Sequence, residues 1–509
     1  MHPPEEFLVP STPTTSAVSN ALARNRVGTF GISMSIASSV APLTVVAGLV
    51  TTALAVTGLS GVSIAMIAIA VVLLIFVVGY MAMARHIENA GAFYAYIARG
   101  IGRPAGVGAS WIALLAYDAF QIASMGGLGV IGAPLIKDWF GIDVHWFVIA
   151  AVAWVIVAVL GVRDVGVSEK VLIVLVLAET GLVLLYSVII VATNGFHFSS
   201  AALSPHNLWG PGAGALLVIA ATAFAGVEQG AVYIEESREP RRTVPRATYG
   251  TIILIAAVYF FASWVQISAG GAQVIDRAGQ EGPDLFFNEA AVSMGDIALD
   301  LGHGLFLTSL VATTIAFHNI IARYTFALGR EGVLPRLFGR TTAQGAPRNA
   351  SVAQSAIAIA ALGLWAIAGW DPLTTLFFWG GTSGGLGILL LLTLTSAAVI
   401  GYFWRNHHGE SAWHRIGAPV IATVLLLGIS YLAVTNLSSL YGVAPRSGPA
   451  IVVPIVYAIV FLGGIGWGLA LKASKPAVYA GIGQGTRSNA AGISELSALL
   501  DEPSGVAGR

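Results

Sequence analysis

The chain has 509 residues, 56% of them hydrophobic and 10% charged, with no formal net charge and no cysteine. A soluble globular domain carries about 25% charged residues, so this chain could not cover a water-facing surface. The missing cysteine excludes disulfides, thiolate nucleophiles and Cys-ligated zinc.

Residues 1–27 are polar and rich in Pro, Ser and Thr, without the apolar core and cleavage site of a signal peptide. They read as a disordered cytoplasmic tail. Runs of roughly 20 apolar residues follow, each long enough to span a bilayer as a helix. They predict α1 at about 30–57, α2 at 61–84, α3 at 105–135, α4 at 145–162, α5 at 168–193 and α6 at 213–236. The second half predicts α7 at about 246–270, α8 at 303–329, α9 at 350–369, α10 at 373–403, α11 at 416–437 and α12 at 450–471. A β-barrel would alternate in segments of ~10 residues, and no such pattern dominates. The expectation is an all-α integral membrane protein, with a twelve-helix body over 28–471. A Gly/Ser/Ala-rich, disordered cytoplasmic tail follows over 472–509.

Charge placement tests the count. With the N-terminus inside, cytoplasmic segments hold Arg24, Arg26, Arg85, Arg99, Arg103, Arg163, Lys170, Arg238, Arg241, Arg242, Arg246, Arg323, Arg330, Arg336, Arg340, Arg348, Arg405, Arg415 and the C-terminal tail. The outside keeps Lys137, Arg277 and Arg446. A ratio of roughly 22 to 3 is the bias of the positive-inside rule, with both termini cytoplasmic.

Four ionisable residues fall inside apolar spans: Asp118 in α3, Glu179 in α5, Glu228 in α6 and His318 in α8. Each lies about 10–15 residues from its helix start, near the midplane at ~1.5 Å per residue. A charge there costs at least ~2.5 kcal/mol, so each is a functional candidate. Mutual pairing that only holds the bundle together is the alternative.

Two spans look interrupted. In α1, Ser38-Ser39-Val40-Ala41-Pro42 brings a residue without a backbone N–H to mid-helix. In α6, Phe224-Ala225-Gly226-Val227-Glu228 puts a permissive glycine at matching depth. Such breaks are tolerated in lipid where freed backbone groups line a cavity. Half-helix N-termini suit a carboxylate, and exposed carbonyls suit a cation. Paired interruptions at corresponding places point to a transporter's binding site. A proline kink plus a packing glycine would look the same.

Three motifs carry a resemblance. One is Phe224-Ala225-Gly226-Val227-Glu228 followed by Glu235-Glu236 and Glu239-Pro240 through Pro245-Arg246. The second runs from Ala322-Arg323-Tyr324 to Gly329-Arg330-Glu331-Gly332-Val333-Leu334-Pro335. The third is Gly91-Ala92-Phe93-Tyr94-Ala95-Tyr96 with Gly102-Arg103-Pro104. In this order and spacing the chain resembles the amino acid–polyamine–organocation family of permeases, over about residues 28–470.

The resemblance implies the leucine-transporter fold. Its five-plus-five inverted repeats would cover about 28–193 and 213–403, with two extra helices over about 416–471. It also implies amino acids or amines as substrates, lined by Ser38, Ser39, Val40, Ala41 and Pro42 on one side. Phe224, Gly226 and Glu228 would line them from the other. Two departures stand out: the family's small glycine-containing motif in α1 is here Val40-Ala41-Pro42-Leu43-Thr44, and Glu179 stands where many relatives carry a lysine.

Gly127-Leu128-Gly129-Val130-Ile131-Gly132 mimics a nucleotide-binding fingerprint, but no strand precedes it. Gly381-Thr382-Ser383-Gly384-Gly385 mimics a nucleophile elbow without a strand-to-helix turn. Both read as packing residues, so the chain is not expected to be an enzyme, and no cofactor, metal or nucleic acid is implied. A channel would need a continuous polar lining. The leading expectation is proton-coupled amino-acid uptake by alternating access, with Glu179 and Glu228 titrating and Asp118 and His318 as partners. A polyamine or cationic amino-acid carrier would use Asp118, Glu179 and Glu228 to offset substrate charge. A sodium-coupled version would use oxygens near Ser38 and Val40 with Thr313 and Thr314.

Overall fold

The computed structural model describes residue 22 and residues 25–163, 165–195 and 197–485. Every regular element among them is helical, and one isolated backbone bridge joins Val27 to Ser237. Eleven helices are long and apolar enough to cross a membrane. The first six are α1 (Thr29–Thr57), α2 (Val62–Ala84), α3 (Arg103–Phe140), α5 (Glu169–Thr193), α6 (Ala213–Tyr233) and α7 (Pro240–Glu281). The rest are α8 (Asp296–Arg330), α9 (Arg348–Ala368), α10 (Pro372–Arg405), α11 (Trp413–Thr435) and α12 (Gly448–Ser474). The remaining predicted span, α4, is apolar but shorter at 16 residues, Trp146–Gly161. At ~1.5 Å per residue it reaches about 24 Å, short of a ~30 Å hydrocarbon core.

Three boundaries differ from the sequence expectation. α3 continues through Pro134 to Phe140 and stops only where Gly141 turns left-handed at φ 70°. Neighbouring helices make an interior proline tolerable in a membrane helix. α7 starts at Pro240, because a proline in the first turn needs no N–H partner. α8 starts at Asp296, directly after Gly295 at φ 65° ends the short helix Asp284–Met294.

The two ends also differ from plain tails. Val27 is buried, and Leu22 packs with Ala90, Ala322, Phe326, Ala327 and Ala350. After α12 a helix over Pro476–Gly481 leads to packed residues as far as Gly485. The rest of both predicted tails, residues 1–21, 23–24 and 486–509, lies outside the described residues.

α3 is the hub, packed against α4, α8, α10, α12 and the short helix Phe93–Gly100. Small residues permit this. A Cβ added to Gly464 of α12 would lie 2.6 Å from the Gly108 Cα of α3, so the two backbones cross almost in contact. Close packing of this kind replaces the hydrophobic drive that lipid removes. The decoy glycines serve the same end: Gly127 faces the Phe377 ring, Gly129 the Trp146 backbone and Gly384 the Phe120 ring. Ser383 hydrogen-bonds Trp379 O at 2.6 Å and Tyr441 Oη at 2.6 Å, with no histidine or acid beside it among these bonds.

Both suspected interruptions are present. α1 runs regularly over Thr29–Val40, Ala41 turns left-handed at φ 49°, and the chain resumes through a wide turn at Thr44–Leu49 before Val50–Thr57. A left-handed residue with a Cβ costs roughly 1–2 kcal/mol, so the surroundings must hold it there. α6 is helical over Ala213–Thr222, passes Gly226 at φ 108°, and continues as a tighter helix over Val227–Tyr233. Gly226 has no room for a side chain, since a Cβ would lie 2.3 Å from Ser39 Oγ.

The Gly108–Gly464 crossing sets a stability test. Gly464→Val should destabilise the protein by about 1–3 kcal/mol through overpacking. A lowered thermal unfolding midpoint in detergent is the expected outcome. An unchanged midpoint would mean that α12 is not held against α3 as described.

Candidate functional site

A cavity of ≈ 130 Å³ lies where the two broken helices meet α3, α8 and α10. Ser39, Val40, Ala41 and Thr44 of α1 form one wall, and Thr222 and Ala225 of α6 another. Phe120 and Ser124 of α3, Thr313 and Phe317 of α8, and Phe377 and Thr382 of α10 complete it. Phe120 and Phe317 stack with centroids 4.9 Å apart, giving a flat aromatic surface. Among the described residues, no charged one lines the cavity. Its polar side chains are a set of hydroxyls, several spent on their own helices: Ser124 on Phe120 O (2.8 Å) and Thr222 on Val218 O (3.0 Å).

Of the residues expected to bind substrate, Ser39, Val40 and Ala41 line this cavity. Ser38, Pro42, Phe224, Gly226 and Glu228 are not in its wall. Ser38 is buried, and its carbonyl accepts the Thr313 hydroxyl at 3.1 Å. The Val40 carbonyl accepts the Tyr259 hydroxyl at 2.8 Å. Both oxygens that a sodium site would use therefore already have protein donors, and Thr314 donates to Leu310 O at 2.7 Å. Phe224 packs edge-on against Tyr259 at 5.3 Å.

The four ionisable residues within the spans have three separate surroundings, with Asp118 half-buried and the other three buried. Glu228 caps the break of its own helix, accepting the Gly226 N–H at 2.9 Å and the Tyr117 hydroxyl at 2.9 Å. A carboxylate at this N-terminal end meets the positive pole of the following helix. Its main-chain carbonyl takes the Tyr80 hydroxyl at 3.0 Å. Glu179 is fully buried, and neither of its oxygens completes a hydrogen bond. Asp118 and His318 belong to one chain of polar groups among α3, α8 and α9. Gln354 donates to Asp118 and to Gln121 Oε1 (2.7 Å), Gln121 Nε2 meets His318 Nδ1 (3.1 Å), and His318 Nε2 meets Ser351 Oγ (2.8 Å).

Several contributors were not singled out from sequence. Gln229 crosses the gap between the broken helices, donating to Ser35 O at 2.8 Å and touching Ser39 Oγ. Tyr80, Tyr117 and Tyr259 bring hydroxyls to the breaks from α2, α3 and α7. Their only signal in the sequence is a phenol inside an apolar span, which fits lipid anchoring equally well.

The two ends of the cavity differ. Toward one lie Thr52, Leu440, Val56 (43% exposed) and Phe378 (36% exposed). The other is sealed by ionic contacts. Arg323 forks onto Glu236 at 2.9 and 3.0 Å, and Arg330 onto Glu235 at 2.7 and 2.6 Å. Both arginines, expected in cytoplasmic segments, are buried in the last turns of α8. The Arg26 and Val27 amides reach Glu236 O at 2.9 and 3.1 Å, tying the start of α1 to the exit of α6. Behind this seal a void of ≈ 20 Å³ is bordered by Gly31, Ser35, Glu169, Tyr233 and Arg323.

This geometry has known counterparts. A family profile described as amino acid permease matches residues 25–465. The chain belongs to that family. The permease is 24% identical over 385 residues to the aromatic amino acid transport protein AroP of Corynebacterium glutamicum, covering 72% of this chain and 80% of the relative. It is 25% identical over 344 residues to the low-affinity putrescine importer PlaP of Escherichia coli K12, covering 64% and 70%. With the branched-chain amino acid permease BcaP of Lactococcus lactis it shares 23% over 303 residues, covering 53% and 61%. The motif resemblance to amino acid–polyamine–organocation permeases is thus a family relationship, and the long apolar helices are those of a multi-pass membrane protein.

The sealed end gives a sharp expectation. Arg323→Ala leaves Glu236 buried without its partner and should cost about 3–5 kcal/mol. Replacing both, as Arg323→Met with Glu236→Leu, should recover most of that loss in thermal unfolding. Losses of the single variants Arg323→Met and Glu236→Leu that simply add in the double variant would show that the pair is not coupled.

Proposed function

We propose that this permease is a secondary carrier for neutral amino acids with apolar side chains, working by alternating access across the plasma membrane. The observation that carries this reading is the cavity between the α1 and α6 breaks, which is walled by Phe, Val, Leu and hydroxyl groups and by no charged side chain. A zwitterion brings its own opposite charges, which half-helix ends and hydroxyls can meet. A polyamine brings positive charge alone, and burying that needs carboxylates close by. Glu228, Glu179 and Asp118 all stand outside the wall. The names of AroP and BcaP, which specify aromatic and branched-chain amino acids, support the same choice over the putrescine reading that PlaP's name suggests.

In this proposal twelve spans are present, α4 included, as two five-helix repeats followed by α11 and α12. Both termini are cytoplasmic, because the sealed end carries most of the arginines that the positive-inside rule places there. The cavity then faces outward. Glu179 is the proton-coupling residue. An ionised carboxylate whose oxygens complete no hydrogen bond is costly to bury, so a proton or cation arriving there has a large effect. It sits on α5 beside the Leu43 backbone and the Ser309 side chain, within reach of the α1 break. Glu228, already satisfied by Tyr117 and Gly226, holds the break of α6 in shape.

Uptake by purified protein in vesicles tests the reading. Labelled leucine or phenylalanine should enter under an inward proton gradient, with neutral apolar amino acids competing and putrescine, arginine and lysine failing to compete. Collapse of the gradient should abolish accumulation. Glu179→Gln should lower gradient-driven uptake by roughly tenfold or more while leaving substrate exchange at equal pH. Competition by polyamines alone would overturn the substrate class. Unchanged rate and pH profile in Glu179→Gln and Glu228→Gln would remove the carboxylates from coupling.

A further inference from the structure

After α12 the chain turns through Pro476–Gly481 and returns across the end sealed by Arg323 and Arg330. Gly483 and Gly485, left-handed at φ 76° and 60°, aim their amides at the Glu331 carboxylate, at 2.6 and 2.8 Å. Amides turned inward this way form an anion cradle. The same carboxylate accepts the Tyr94 hydroxyl at 2.6 Å and the Asn89 side-chain amide at 2.7 Å. It is thus gripped by donors from the segment after α12, the α2–α3 connection and the short helix that follows, and only 5% of Glu331 is exposed.

The position of this grip matters. Glu331 directly follows Arg330, whose guanidinium is forked on Glu235 at the exit of α6. Glu235 also accepts the Ala90 amide at 2.9 Å, one residue beyond Asn89. The terminal segment, the α2–α3 connection, α8 and α6 therefore share one polar network. The segment has further anchors: Arg103 donates to Ala480 O at 3.1 Å and lies over the Tyr479 ring at 5.3 Å. Val478 packs on Gly332, and Trp467 of α12 donates to Val333 O at 2.9 Å.

We propose that the Gly483–Gly485 segment is a lock on this end of the permease. Through it, Glu331 acts as a positioning residue that sets how readily the Arg330–Glu235 and Arg323–Glu236 pairs part during transport. The inference rests on the alternating-access reading above. For the sealed end to open, the exit of α6 must separate from α8, and the lock holds the residue beside Arg330 in its closed place. Weakening it shifts the population toward the state open at this end. A plain anchor for the C-terminus would affect stability without favouring either end.

The chain has no cysteine, so a single introduced one reports access without interference. Ser35→Cys, beside the void behind the seal, reads the closed end; Val56→Cys, at the cavity mouth, reads the other. Each is labelled with a membrane-impermeant maleimide applied to the side it faces, in full-length protein in oriented vesicles. Two lock variants are compared with the parent. Gly483→Ala with Gly485→Ala strains both left-handed turns and drives a Cβ to 2.6 Å from Glu88 O. Glu331→Gln sets an amide donor against the donors that hold it.

In both variants, labelling of Ser35→Cys should rise roughly threefold to tenfold, the equivalent of about one lost hydrogen bond. Labelling of Val56→Cys should fall. Glu331→Asp, which keeps the charge, should lie nearer the parent. Unchanged Ser35→Cys labelling in both variants would overturn the proposal. So would a rise at both reporters together, which is loosening rather than a shift. If the parent moves no amino acid while the reciprocal change in labelling is seen, the substrate reading fails and the lock stands.

Discussion

Lipid offers no hydrogen bonds, so every peptide group freed by a broken helix must find its partner inside the protein. Two helices here break at the same depth, and much of the surrounding architecture serves that debt. Tyr259 donates to Val40 O, Thr313 to Ser38 O, Gln229 to Ser35 O and Tyr80 to Glu228 O. Glu228 turns back to accept the Gly226 amide. These donors come from α2, α7 and α8 as well as from α6. The breaks are therefore held from several directions, and the left-handed Ala41 is supported by its surroundings.

That solution also shapes the cavity. With the break carbonyls of Ser38 and Val40 answered by protein hydroxyls and Glu228 engaged at its own break, the space between the helices is left to apolar surface and a few hydroxyls. Charge is concentrated elsewhere. The forked Arg323–Glu236 and Arg330–Glu235 pairs and the Glu331 cradle all sit at one end. Buried ion pairs contribute little net stability compared with apolar packing, but breaking one partner away is expensive. They suit a seal that should be shut or open and seldom between. The polar chain from Asp118 to Ser351 lies apart, among α3, α8 and α9, and joins three helices without reaching the cavity wall.

Much of the fold was legible because lipid imposes simple rules on sequence. Apolar runs located every long helix, and errors were confined to ends such as that of α3, expected at about residue 135 and found at Phe140, since neighbouring helices tolerate Pro134. Pro42 and Gly226 marked the interruptions because each changes what a backbone can do by itself. The partners were hidden. A phenol such as Tyr117 looks the same in a sequence whether it anchors in lipid or meets Glu228. Glu331 stood in the sequence only as one residue of a family motif, and its cradle comes from Gly483 and Gly485, more than 150 residues away in the chain.

The sequence by itself determined that this is an all-helical membrane protein, where its helices lie and where two of them fail, because hydropathy and backbone chemistry are local properties. Only the tertiary structure decided which buried groups meet: that Glu228 is satisfied and Glu179 is not, that Ser39 faces the cavity and Ser38 does not, and that one end is closed by paired charges. Those outcomes depend on helix rotation and crossing. Both are set by contacts between distant segments, such as Gly108 against Gly464, which no single stretch of chain records.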